Sequence, residues 1–123
     1  MRTIWPAPGG HTVEIIDQTK LPHELVTVGL HTLEDAARAI RTMQVRGAPL
    51  IGATAAYGVA LAIADDPSDA GLAAAVKALS ATRPTAVNLR WALAEMERVL
   101  QGVPEGRRFA AAVARAGAWQ KVS

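Results

Sequence analysis

The sequence predicts an α+β protein: a small three-stranded antiparallel sheet followed by a bundle of about five helices. Three observations carry that expectation. The first thirty residues hold short β-branched runs between proline and glycine turns, the chain from residue 32 onward shows apolar spacings of three and four, and the stretch from Gly47 to Ala64 carries no charge and many small residues. The 123 residues are read as a single domain, with strands within about 3–28 and helices within about 32–118.

The strands come first. Thr3 to Trp5 is short and apolar, Pro6 to Gly10 reads as a turn, and Thr12 to Ile16 places Glu14 among β-branched residues. Leu21-Pro22 breaks that run, and Leu25 to Val28 supplies a third strand, giving a meander with one face covered by helices. Asp17, Gln18 and Thr19, just before the break, fit a strand end fixed by side-chain to backbone hydrogen bonds better than a catalytic role.

Thr32 with Asp35 three residues later is a variant of the capping box, and Leu33, Ala36, Ala37, Ile40 and Met43 then follow helical spacing. The second helix runs from Pro49 to about Ala64, where Asp65-Asp66-Pro67 stops it. Its Gly52, Ala53, Ala55, Ala56 and Ala60 let neighbouring helices approach on several sides, and Tyr57 reads as a packing residue with a satisfied hydroxyl. Ser68 or Asp69 caps a third helix with Leu72, Ala75, Val76 and Leu79 on its apolar stripe. The fourth, about Thr85 to Gln101, turns Leu89, Ala92, Leu93, Met96, Val99 and Leu100 inward, with Trp91 read as a core or domain-contact residue. Gly102-Val103-Pro104 separates it from a last helix, Arg107 to about Ala116.

The chemistry concentrates at two helix starts. In Val45-Arg46-Gly47-Ala48-Pro49-Leu50-Ile51-Gly52 a basic loop opens onto a helix whose first turn accepts Pro49, because that position needs no backbone donor. Gly47 lets the backbone come close to a ligand, the free N–H groups and dipole of the first turn suit a phosphate, and Arg46 adds a forked contact. Arg83-Pro84-Thr85-Ala86-Val87-Asn88-Leu89 repeats the arrangement, with Thr85 as a capping hydroxyl and Asn88 one turn into the helix. Two arginines before two helix starts can converge on one anion.

With these strings in view, the chain resembles methylthioribose 1-phosphate isomerase. VRGAPLIG, the AAYG of residues 55–58, RPTAVNLRWAL from Arg83 to Leu93 and IIDQTKLP from Ile15 to Pro22 carry the resemblance, which runs from about Thr3 to about Ala116. It implies the smaller N-terminal domain of a two-domain enzyme whose Rossmann-like C-terminal domain carries catalysis and lies beyond residue 123. The implied reaction converts a cyclic sugar 1-phosphate into an open-chain ketose phosphate in methionine salvage, without cofactor or metal. The family's catalytic pair is a cysteine and an aspartate of that second domain, and this chain has no cysteine, so it supplies no catalytic residue. Arg46, Gly47, Ala48 and Arg83 carry over as substrate-binding positions. Leu50 stands where the family more often has alanine. A related ribose bisphosphate isomerase, a regulatory subunit like those of the translation-initiation exchange factor, and a helical interaction domain with structural arginines are the alternatives.

Composition narrows the partners. Thirteen basic against eleven acidic residues leave a net charge of +2, and no basic stripe with interleaved aromatics points to nucleic acid. His11, His23 and His31 lack metal-ligand spacing, and no secretory leader or strong membrane segment is legible, so the expected setting is the cytoplasm. The expected ligand is a sugar phosphate. An apolar face built for a larger partner also predicts a homo-oligomer.

Overall fold

The computed structural model describes residues 4–6, 12–45, 47–83 and 86–120, without the side chains of Ala48, Trp119 and Gln120. Strands β1 (Ile4–Pro6), β2 (Val13–Ile16) and β3 (Thr27–Leu30) form an antiparallel sheet in the order β1-β2-β3. Ile4 pairs with Ile15 and Ile15 with Val28, so one pleated face presents Ile4, Val13, Ile15 and Leu30 to the core. On the opposite face Trp5 Nε1 donates to Glu14 Oε2 across the paired strands, at 2.8 Å.

The third strand lies two residues later than the sequence suggests. Gly29, beyond the expected end of the strand, pairs with Glu14, while Leu25, expected inside the strand, is exposed in the approach to it. Most of the expected turn from Pro6 to Gly10, residues 7–10, lies outside the described residues.

Helix α1 (Leu33–Arg41) begins as a reciprocal cap. Thr32 accepts from the Asp35 N–H, and Asp35 reaches back to the backbone N–H of His31 rather than of Thr32. At the other end Met43 and Gln44 donate to the carbonyls of Ile40 and Ala39, the paired bonds of a Schellman motif. Met43 occupies its left-handed position at φ 63° and is 44% exposed, so it ends the helix instead of extending the apolar stripe. Glycine adopts that conformation without the Cβ penalty, so Met43→Gly is expected to raise stability by about 0.5–1 kcal/mol in urea unfolding.

Helix α2 (Ala48–Asp65) is the hub of the bundle. Ile51 to Leu61 is buried without interruption, and the helix packs against α1, α3 (Asp69–Ser80), α4 (Val87–Gln101), α5 (Glu105–Gln120) and β1. Small residues make this possible: a Cβ on Gly58 would stand 2.9 Å from that of Ala36, so α1 and α2 touch almost backbone to backbone. Tyr57 is buried here, as expected.

The remaining helices follow their stripes. Ser68 caps α3 by accepting from the Gly71 N–H at 3.0 Å, and Leu72, Ala75 and Leu79 are buried. In α4 Leu89, Ala92, Leu93, Met96 and Leu100 point inward. Trp91 is 61% exposed, so it is no core residue. Helix α5 starts two residues earlier than expected and runs further, to Gln120. No helix among the described residues is long and apolar enough to cross a membrane.

Candidate functional site

Helices α2 and α4 open onto the same cleft, of about 340 Å³, lined by Met43, Gly47, Ile51, Arg83 and residues 86–89. Of the four residues singled out for binding, Gly47 and Arg83 therefore share one site. Ala48 is the first residue of α2, and Arg46 lies outside the described residues, as do Pro84 and Thr85.

The two helix starts are alike. Gly47 is the N-cap of α2 and Ala86 that of α4, and neither helix has a side-chain hydrogen bond at its cap. The expected start of α4 at Thr85 moves to Val87. The first N–H groups of each helix have no intrahelical acceptor, and the aligned peptide dipoles place partial positive charge at both ends. In α2 Pro49 removes one of those donors without loss.

Gly47 holds φ at +91°, a backbone conformation closed to most L side chains, although a Cβ there would meet nothing within 4 Å. The position therefore needs glycine for its backbone rather than for space. Arg83 is half-buried beside it, and its side chain makes no hydrogen bond or ion pair with another described residue. A guanidinium without a partner among the described residues, next to two helix ends that lack a side-chain cap, is an arrangement that can receive a compact anion. Met43, Ile51, Val87 and Leu89 give the cleft apolar walls.

At the end of β2 lies a polar cluster whose long reach is not legible in the sequence. Asp17 is buried at the end of β2, where its carboxylate accepts from the backbone N–H and hydroxyl of Thr19 and from the Gln44 side-chain amide. Local bonding at a strand end was expected; the contact 27 residues away was not. Burial pushes the Asp17 pKa upward, but the bonds from Thr19 and Gln44 and the charge of Lys20 outweigh it and hold the group below the usual aspartate range. A lowered folded pKa stabilises the fold above the unfolded value, about 3.9, and that contribution is lost as pH falls through the folded value. Asp17→Asn should thus cost most stability at neutral pH, with the difference from wild type shrinking as urea unfolding is repeated below about pH 4.

Among the described residues no group of three or more His, Asp or Glu side chains is placed to hold a metal ion. His31 pairs with Thr12, Nδ1 to Oγ1, at 3.2 Å, and His11 lies outside the described residues.

Methylthioribose-1-phosphate isomerase of Paramagnetospirillum magneticum is 65% identical over 115 residues, which cover 94% of this chain and 32% of that protein. The chain matches methylthioribose-1-phosphate isomerases over nearly its whole length. It spans about a third of the length of the curated relatives it matches. The crystal structure of 5-methylthioribose 1-phosphate isomerase from Pyrococcus horikoshii superposes with a TM-score of 0.84 at 33% identity, over 96% of this chain and 35% of that one. Subunit delta of translation initiation factor eIF-2B from A. fulgidus gives 0.85 at 34%, over 97% and 36%. No family model matches the chain. The same fold thus occurs in an isomerase and in an initiation-factor subunit, and a functional reading has to rest on the cleft rather than on the architecture.

Proposed function

We propose that this chain is the phosphate-clamping part of an aldose–ketose isomerase that converts methylthioribose 1-phosphate to methylthioribulose 1-phosphate. The observation that carries the reading is the cleft, where Arg83 and the starts of α2 and α4, which lack a side-chain cap, stand together in a chain that matches these isomerases. Arg83 and Arg46 grip the phosphate with charge-assisted bonds, and Gly47 and Ala48 present backbone N–H groups to its oxygens. Apolar walls exclude water around the bound sugar, which strengthens each of those contacts.

The chain contributes binding and cover, not the reacting groups. It contains no cysteine, so the thiolate that the family resemblance assigns to catalysis is not among its residues. The purified 123-residue chain is expected to produce no ketose phosphate above a buffer control, while methylthioribose 1-phosphate raises its melting temperature. Turnover by the chain alone, free of host enzyme, would contradict this division of labour. A melting temperature indifferent to the sugar phosphate would favour a helical interaction domain whose arginines are structural.

A further inference from the structure

The loop between α1 and α2 delivers Gly47 to the cleft, and its path is set from the sheet. Asp17 donates its N–H to the Val26 carbonyl at 2.8 Å, which anchors it beside β3. Its two carboxylate oxygens then take separate tasks. Oδ1 accepts both Thr19 bonds, whereas Oδ2 accepts from Gln44 Nε2 at 3.1 Å. The next residue, Gln18, donates its N–H to the Gln44 carbonyl at 2.8 Å. Two consecutive residues therefore grip one residue of the loop by both main chain and side chain, three positions before Gly47.

We infer that Asp17 is a positioning residue for anion binding, acting through Gln44 to hold the loop so that Gly47 and the start of α2 face Arg83. The inference rests on the phosphate-clamp reading. A role confined to closing the strand end would need only the Oδ1 bonds, which are made within residues 17–19; the Oδ2 bond adds nothing to that turn. It crosses to the segment on the other side, where Val45 is fully buried and fixes the loop against the core. Gln44, tied to Asp17 and Gln18, and the buried Val45 thus anchor the loop at two successive residues, and a preorganised loop lowers the ordering cost of binding an anion.

The test compares single variants of the full chain with inorganic phosphate as the probe, reading affinity by titration and stability by urea unfolding. Gln44→Met removes the donor and keeps the main-chain contact, and is expected to weaken phosphate binding by about fivefold, the size of effect typical of positions that act through a neighbour. Gln44→Lys, which keeps a donor for Oδ2, should recover most of the affinity. Thr19→Val removes an Oδ1 bond and should bind as wild type at a comparable loss of stability. Wild-type affinity in Gln44→Met, with binding still lost in Arg83→Ala, would overturn the positioning role and leave the clamp intact. Equal weakening in Thr19→Val and Gln44→Met would overturn it as well, because general loosening of the strand end would then explain both. Phosphate binding that is absent in the wild type, or indifferent to Arg83→Ala, would remove the clamp and this inference together.

Discussion

Arg108→Ala is expected to lower the stability of the chain by about 1–3 kcal/mol, the cost of leaving two part-buried carbonyl acceptors without their charged donor. Arg108 is only 5% exposed, near the start of α5. Its Nε donates to the Val103 carbonyl at 2.9 Å and its Nη1 to the Pro67 carbonyl at 2.8 Å, while Nη2 lies 2.7 Å from Asp69 Oδ1. One fork thus ties the loop between α2 and α3 to the loop between α4 and α5. Asp69 is well exposed and its share is screened by water, so the two carbonyl bonds dominate the effect. Lysine can reach one of the three acceptors at a time, and Arg108→Lys should recover less than half of the loss. The check is urea unfolding with an unchanged m-value, which corresponds to roughly a 10 °C fall in melting temperature for a domain of this size.

Arg83→Ala should do the reverse, leaving stability almost untouched while binding collapses. Its side chain has no partner among the described residues, so truncation orphans no buried group among them. What it removes is a charge-assisted contact to phosphate, typically about 1.5–3 kcal/mol, or roughly tenfold to a hundredfold in affinity. Arg83→Lys keeps the charge without the fork and should recover part of the loss. Titration with the sugar phosphate, set beside urea unfolding of the same variants, separates the two effects. A destabilised Arg83→Ala with unchanged affinity would make the arginine structural.

The contrast between these arginines shows which parts of the molecule are legible in the chain. Arg83 stands before a helix start with proline next to it, a local pattern, and the structure lines the cleft with it. Arg108 is in step with Ala112 and Ala116 at spacings of four, all three buried, so an arginine on an apolar stripe was the available sign of a buried role. Its acceptors are loop carbonyls, which sequence spacing does not mark. The helical stripes of α3 and α4 were readable because each repeats over several turns. Strand β3 was harder: four residues interrupted by Gly29 carry no period, and pairing with β2 decides its limits. Met43 fits the α1 stripe by spacing alone, but the left-handed turn that ends the helix takes it out of the core. The link from Asp17 to Gln44 joins segments 27 residues apart, and no local rule reports such a contact. Thr85 and Arg46 lie outside the described residues, so the site is described from Gly47, Arg83 and the residues around them.

The central claim is that one anion is held between the starts of α2 and α4, and amide chemical-shift mapping during titration with methylthioribose 1-phosphate tests it most directly. The largest shifts are expected to cluster at Gly47, Ala48 and Leu50 on one helix start and at Val87, Asn88 and Leu89 on the other, with the Arg83 side chain moving alongside. Saturable shifts confined to another surface, with these amides unmoved, would contradict it.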